Sequence, residues 1–154
     1  MSFEPTPAGT YGARQPGSLV RMVNRFTMRL IVRKGGGTLG KADALVLTTI
    51  GRKSGEPRKS PVAWFPGENG SWLIVASANG AARHPAWYLN LAARPDEATI
   101  ETGGLKTEVA AEQLQGAERE TAWRRIVAAR SRYADYATRT DREMPVIRLT
   151  SRAN

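Results

Sequence analysis

Cysteine is absent from the 154-residue chain, and histidine occurs once, as His84. The lack of cysteine excludes a disulfide framework, a thiolate nucleophile and an iron–sulfur site, and a single imidazole excludes a multi-histidine metal centre. We therefore predict no metal site, so that any chemistry comes from hydroxyls, carboxylates, cations or a bound cofactor. The chain also lacks a long hydrophobic run and a secretory leader pattern, and we expect a cytoplasmic protein.

Acidic residues are few, because 14 Asp and Glu side chains stand against 23 Lys and Arg, which gives a net charge of +9. Such a balance suits an anionic ligand, an anionic lipid surface or nucleic acid, and charge alone does not choose among them. The length, with 41% hydrophobic residues, is that of one ordinary domain that can bury its own core. We predict a single domain over residues 1–154.

The N-terminal part divides into two patterns. Proline, glycine and small polar residues fill residues 1–16 without periodicity, which predicts a mobile start. Over residues 17–34, apolar residues recur at spacings of three and four, which predicts an amphipathic helix. A second stripe on this helix consists of Arg21, Arg25, Arg29 and Arg33. The stripe leaves three interpretations open: a water-exposed face, an active-site lid, or a peripheral contact with a membrane surface.

Strand-like runs dominate the remainder of the chain. We predict strands over residues 44–50, 60–65, 72–78, 98–102, 105–114 and 144–150. Two helical patterns interrupt them, one from Pro85 to before Pro95 and one over residues 117–130. Because strands dominate and pair mostly in hairpins, we predict a mainly β (α+β) protein, a small antiparallel barrel with peripheral helices.

The most informative segment, TTIGRKSGEPRK at residues 48–59, lies between the first two predicted strands. Its glycines can adopt backbone conformations closed to other residues, so that N–H groups converge on one point. Arg52, Lys53 and Arg58 add charge-assisted hydrogen bonds of roughly 1.5–3 kcal/mol each. The segment therefore predicts an anion cradle for a ligand with phosphate or carboxylate groups.

Two further groups of residues suit a flat ligand. Tyr133 and Tyr136 are three residues apart and share one helical face, from which phenols can stack on a ring, donate a hydrogen bond, or simply pack in the core. Residues 77–80, Ser-Ala-Asn-Gly, end the third predicted strand with small side chains and free backbone groups.

The carboxylates of Asp135 and Asp141 are either an acid–base pair or structural ion-pair partners.

Four segments, taken in order, resemble the deazaflavin-dependent nitroreductase family. They are residues 47–58, 75–80, 84–91 and 133–142, with Pro145 beyond, and together they cover most of residues 40–150. The resemblance implies a split β-barrel of the flavin-reductase, FMN-binding kind. It also implies binding of coenzyme F420, a deazaflavin with a phosphate and an oligoglutamate tail.

The resemblance further implies the roles of individual residues. The implied cofactor-binding residues are Thr48, Arg52, Lys53, Ser54, Gly55, Arg58, Ser77, Ala78, Asn79, Trp87 and Asn90. The implied reaction is hydride transfer from reduced F420 to a quinone, nitro-aromatic or other activated acceptor. Ser77, Tyr133 and Tyr136 would be the catalytic residues, and the N-terminal helix would cover them as a lid.

The chain departs from the nitro-drug-activating members at two positions. Ala63 and Arg130 stand where those members have tyrosines, so the resemblance favours a roomier and more cationic pocket, for an anionic or bulkier acceptor. Two alternatives stay open: an F420 carrier without strong catalysis, and a basic binder of membrane surfaces or nucleic acid. With F420 as the cofactor, we expect no nucleic-acid partner.

Overall fold

The computed structural model describes residues 3–13, 28–30, 37–39 and 42–152. The described strands are β1 (Gly37–Leu39), β2 (Ala42–Ile50), β3 (Pro57–Ala63), β4 (Phe65–Pro66), β5 (Trp72–Val75), β6 (Ala98–Thr102), β7 (Leu105–Gln113) and β8 (Val146–Ser151). The helices are α1 (Ala86–Ala93), α2 (Gly116–Ala129) and α3 (Arg132–Thr138), and two 3-10 turns occupy Glu68–Gly70 and Ala78–Gly80. Residues 28–30 are helical, and the remainder of the helix predicted over 17–34 lies outside the described residues.

The strands form one antiparallel sheet in the order β1-β2-β6-β7-β8-β5-β4, with β3 paired to β2 off this path. Strand β2 is the junction of the sheet because it pairs with β1, β3 and β6. The sheet curls into a half-barrel with the helices at its periphery. This architecture confirms the prediction of a mainly β protein.

Side chains on the two faces of the sheet enter two separate apolar clusters. On β5, Ile74 belongs to the cluster beneath α1, whereas its neighbours Leu73 and Val75 belong to the cluster beneath α2 and α3. The alternation follows from the two-residue period of a strand. Tyr88 and Leu91 of α1 are fully buried in the first cluster. Packing on both faces therefore fixes where α1 and α3 stand relative to the end of β5.

The strand predicted over residues 72–78 is shorter in the structure. Strand β5 ends at Val75, whereas the sequence pattern predicted a strand up to residue 78. The last ladder-like bond there is made by the Ala76 N–H, which donates to the Pro145 carbonyl at 3.0 Å. Beyond it the chain turns, and Ala78–Gly80 forms a 3-10 turn. Small residues that end a strand and small residues that form a turn look alike in sequence.

The N-terminal residues 3–13 pack on the body of the protein, whereas composition predicted a mobile start. Phe3 is buried with its ring 5.4 Å from that of Tyr88. The Gly9 N–H donates to the Ala82 carbonyl at 2.8 Å, and the Ala13 N–H donates to the Gly80 carbonyl at 2.9 Å. These bonds join segments about seventy residues apart, so local composition does not show them. The N-terminal residues thus lie along the turn that ends β5.

Substituting Gly80 tests how tightly this turn is packed. Gly80 has φ 83°, and a Cβ atom there would lie 3.0 Å from the Tyr136 carbonyl oxygen and 3.1 Å from Arg139 Cβ. Gly104 has a similar φ of 81° but open space around it. We expect Gly104→Ala to lower the free energy of unfolding by about 1–2 kcal/mol and Gly80→Ala by about 2–4 kcal/mol, because only the latter adds a steric clash. Urea unfolding measures both, and equal losses would contradict the packing described.

Candidate active site

A cavity of about 940 Å³ opens where β5 ends, between the start of α1 and the start of α3. Its size lies near the upper end of the 300–1,000 Å³ that small-molecule sites occupy. Part of its wall comes from the far end of β3, at residues Pro61, Val62 and Ala63. Met28, within the helix predicted over 17–34, also lines it.

Six of the residues predicted for the site line this one cavity. They are Ser77, Ala78, Asn79, Trp87, Tyr133 and Tyr136. These residues come from three segments of the chain that the fold brings together. Arg130 and Asp135 also line the cavity, so the wall formed by α3 and the residues before it carries both signs of charge.

The turn at the end of β5 has an unusual backbone. Ser77 is right-handed helical, with φ −82° and ψ −37°, and Ala78 and Asn79 follow with φ 45° and 55°. A left-handed conformation costs a residue with a Cβ atom about 1–2 kcal/mol, and asparagine tolerates it better than alanine. Within the described residues, the N–H groups of these three residues make no hydrogen bond. They are therefore available to a ligand at the cavity edge.

The two tyrosines form the opposite wall. The Tyr133 ring is 9% exposed and meets the Phe65 and Tyr136 rings edge-on, at centroid distances of 5.6 and 5.5 Å. Burial, reinforced by Tyr136, raises the pKa of Tyr133 to about 12, against the opposing effect of nearby Arg132 and Arg130. The phenol therefore stays protonated at neutral pH. Its hydroxyl has no protein hydrogen-bond partner within the described residues, so it can donate to a bound molecule.

The predicted anion cradle is the hairpin turn between β2 and β3. Hydrogen bonds of 2.8 Å, from Gly51 N–H to the Glu56 carbonyl and from Gly55 N–H to the Gly51 carbonyl, close the turn. The turn presents Arg52, Lys53 and Ser54 to solvent, and the start of β3 presents Arg58. Among the described residues, no carboxylate lies within 4.0 Å of these three cations. Their charges are therefore available to an anion.

The cradle lies beside the cavity rather than in its lining. Arg58 and Pro61 are both on β3, where they pair with Thr49 and Val46 of β2. They are three positions apart along the strand, which is about 10 Å. One ligand with a flat head and an anionic tail can therefore span both places.

Besides the residues of the cradle, two further predicted cofactor-binding residues lie outside the cavity lining. Asn90 is buried on α1, where its Nδ2 donates to Thr49 Oγ1 at 3.2 Å and its Oδ1 accepts from the Arg52 N–H at 3.1 Å. Asn90 thus anchors the cradle to α1. Thr48 lies on β2, opposite Lys59 of β3. Their contact with a cofactor stays a prediction.

Sequence reasoning missed a role for Arg142. This side chain is 3% exposed, and its guanidinium donates to the carbonyls of Ala81, Ala76 and Ser77 at 3.0, 2.7 and 2.6 Å. The residue belongs to the fourth family-like segment, but nothing in its sequence context indicates that the charge is buried. The only available signal was its position in that segment.

His84 links Arg142 to the N-terminal residues. His84 Nε2 lies 2.5 Å from the Thr6 carbonyl oxygen, and His84 Nδ1 lies 3.0 Å from Arg142 Nη1. Because a guanidinium can only donate, Nδ1 is the acceptor and Nε2 carries the proton. Burial lowers the pKa of His84, the charge of Arg142 lowers it further, and the Thr6 carbonyl opposes both. A neutral imidazole therefore holds this contact.

Asp141 also serves the N-terminal residues. Its carboxylate accepts from the Thr10 N–H at 2.7 Å and from the Thr10 hydroxyl at 2.6 Å. These hydrogen bonds lower the pKa of Asp141. Of the two carboxylates considered as an acid–base pair, only Asp135 lines the cavity. Asp141 instead has the structural role.

Two kinds of feature are missing from the described part of the chain. No group of three His, Asp or Glu side chains there has the arrangement of a metal site. Over the same residues, no helix has both the length and the apolar character needed to cross a membrane.

The curled half-barrel matches solved structures of F420-dependent reductases of the split-barrel class. A sequence profile described as F420H(2)-dependent quinone reductase matches residues 19–151. An F420H(2)-dependent quinone reductase of Mycobacterium tuberculosis is 35% identical over 116 residues, which are 73% of this chain and 76% of the relative. The chain therefore belongs to the F420H(2)-dependent quinone reductase family, and it is an oxidoreductase.

Solved structures agree with this assignment. A structure described as an F420-H2 dependent reductase (FDR-A) superposes with a TM-score of 0.62 at 38% identity, covering 70% of this chain and 93% of the other. A second, described as a domain-swapped dimer, has a TM-score of 0.65 at 34% identity and covers 86% and 100%. The predicted split-barrel fold and the predicted family resemblance are both confirmed.

The lowered pKa of His84 predicts how stability depends on pH. The folded chain holds His84 neutral, with its pKa below the ordinary 6.5, so the unfolded chain binds the proton more readily. The contacts of neutral His84 contribute fully to the free energy of unfolding above about pH 6.5, and this contribution declines as the pH falls below that value. Urea unfolding between about pH 7.5 and 5.5 should show this decline. Because His84 is the only histidine, the His84→Gln variant should lose most of the slope, and an unchanged slope would contradict the assignment.

Proposed function

We propose that the protein catalyses hydride transfer from reduced coenzyme F420 to a quinone. The observation that carries the proposal is the single cavity lined by Ser77, Ala78, Asn79, Trp87, Tyr133 and Tyr136 in a chain of the F420H(2)-dependent quinone reductase family. The M. tuberculosis relative, named as such a reductase, supports both the cofactor and the acceptor.

The residues present fit this cofactor on structural grounds. A tricyclic ring needs a cavity of several hundred Å³ with apolar walls, and Ala63, Val75 and Trp87 supply such walls here. Ring carbonyls and ring nitrogens need hydrogen-bond donors, and the free N–H groups of the turn after β5 are at hand. A phosphate and glutamate tail needs cations, and the exposed cradle at the β2–β3 turn presents three that pair with no described carboxylate.

When bound, F420 supplies the hydride, which is chemistry that no side chain of this protein can perform. The protein's contribution is to position and to exclude water. Trp87 and the turn after β5, which line the cavity, would hold the ring, and Tyr133 and Tyr136 would border the space left for the acceptor. Holding the reacting groups about 3–3.5 Å apart supplies much of the rate enhancement in such sites.

Tyr133 is the group that we assign to the acceptor. Reduction of a quinone to a hydroquinone takes a hydride and a proton, and negative charge develops on a quinone oxygen as the hydride arrives. A protonated phenol with no protein acceptor can donate a hydrogen bond to that oxygen. A phenol is protonated in the neutral range in any case, and the raised pKa extends this donor into the alkaline range.

Stopped-flow oxidation of reduced F420 by menadione tests the proposal directly. The purified protein should accelerate the oxidation well above the rate without protein, with saturation in menadione. A nitro-aromatic acceptor assayed in parallel compares the two acceptor classes. Tight F420 binding with the uncatalysed rate would instead identify a carrier of the cofactor, and absence of binding would overturn the proposal.

Removing two cations of the cradle should weaken binding of F420. The Lys53→Ala/Arg58→Ala double variant should raise the dissociation constant by about tenfold or more, since each charge-assisted contact contributes on the order of 1.5–3 kcal/mol. Fluorescence titration with F420 measures this. The Lys106→Ala/Arg124→Ala double variant removes the same charge from exposed positions outside the cavity lining, and it should bind normally. Equal weakening in both would make the effect one of net charge.

Removing the Tyr133 hydroxyl should affect the reaction more than binding. We expect Tyr133→Phe to lower kcat for menadione by about tenfold or more while the F420 dissociation constant changes by less than about threefold. The exposed Tyr11 is a matched control, because Tyr11→Phe removes a phenol outside the cavity lining. A parallel loss of binding and rate in Tyr133→Phe would show that the phenol only supports the fold.

A further inference from the structure

The guanidinium of Arg142 is buried without an acidic partner. The side chain is 3% exposed, and within the described residues no carboxylate lies within 4.0 Å of it. A buried charge is costly unless hydrogen bonds replace its hydration. A guanidinium has five N–H donors, and four contacts engage them here, three to backbone carbonyls and one to the His84 ring.

The three carbonyls belong to one short segment of the chain. Ala76 and Ser77 stand at its beginning and Ala81 at its end, so the planar fork of the guanidinium ties the two ends together. Between them are Ala78 and Asn79, whose positive φ angles are unfavourable for residues with a Cβ atom. Backbone in such a conformation persists only when its surroundings hold it.

The held segment is also an edge of the cavity, since Ser77, Ala78 and Asn79 line it. Arg142 itself is not among the cavity-lining residues, so it reaches a bound molecule only through this segment. A lysine could not replace it, because one ammonium nitrogen cannot reach three carbonyls that a planar fork bonds in separate directions.

We propose that Arg142 is a positioning residue of the active site, which holds residues 76–81 in the conformation that receives the ring of the ligand. The inference rests on the proposed function for the identity of that ligand. It adds a specific dependence: affinity for the ring and the rate of hydride transfer require the fork of Arg142 and not merely its charge.

Arg142→Lys tests this dependence, and Arg119→Lys is its matched control. Arg119 is also buried, at 9% exposed, and donates to the Met144 carbonyl at 2.7 Å, but it lies on α2 and lines no part of the cavity. We expect both variants to lose thermal stability. Only Arg142→Lys should raise the F420 dissociation constant by about tenfold or more and lower kcat, with a smaller change in KM for menadione.

Amide hydrogen exchange supplies a readout that needs no ligand. The Gly80 N–H bonds to the Ser77 carbonyl and the Ala81 N–H to the Ala78 carbonyl, so both amides report whether the turn is closed. In ligand-free Arg142→Lys they should exchange about tenfold faster or more, while amides of β7 and β8 change as they do in Arg119→Lys. Methylguanidinium added to Arg142→Ala should restore part of the protection and of the F420 affinity.

Several results would overturn the inference. One is exchange at Gly80 and Ala81 that matches the Arg119→Lys control, and another is F420 affinity and kcat that match that control. Should Arg142→Lys not fold, Arg142→Ala in methylguanidinium replaces it, and equal exchange at Gly80 and Ala81 with and without methylguanidinium refutes the role. If wild-type protein fails to bind F420, the proposed function fails, while the ligand-free exchange comparison still tests Arg142.

Discussion

The pairing of β2 with three other strands is the constraint on which the rest of the molecule depends. Its residues Ala44–Leu47 are buried, and its ladder with β3 fixes the hairpin that joins them. One end of that hairpin presents the cations of the cradle, and the other end forms a wall of the cavity. Because a β-ladder is rigid and its register is set by burial, the distance between the cations of the cradle and the cavity is built into the sheet.

The other side of the cavity rests on a turn that the sheet does not support. Residues 77–80 leave the ladder after β5 and adopt positive φ angles at three successive positions. Hydrogen bonds from Arg142 and from the N-terminal residues 9 and 13 hold this turn in place. The site thus combines a stiff wall that the fold supplies with a strained edge whose free N–H groups face no described partner. Strain of this kind is typical of ligand-binding segments.

The basic side chains of the chain divide into two sorts. Arg148 of β8 is paired with Glu112 of β7 and Glu118 of α2, and Arg119 of α2 is paired with Glu143 in the segment before β8, so these charges support the packing of α2 on the sheet. The cations of the cradle have no such carboxylate among the described residues. The net charge of +9 therefore includes cations without a described carboxylate partner that are grouped at one hairpin, which the total charge alone does not reveal. Local geometry separates the structural cations from those that can bind a ligand.

The sequence by itself indicated six of the eight described strands and the helices α1 and α2, because hydrophobic period and turn chemistry are local properties. It predicted β6 at its observed bounds and α2 to within a residue, and it placed Ser77 and Tyr133 in one site through family resemblance. Only the tertiary structure decided that the N-terminal residues dock, that β5 stops at Val75, and that Arg142 is buried. Each of these depends on backbone carbonyls and N–H groups that distant segments bring together, and such groups are the same in every residue, so no side-chain pattern encodes where they meet.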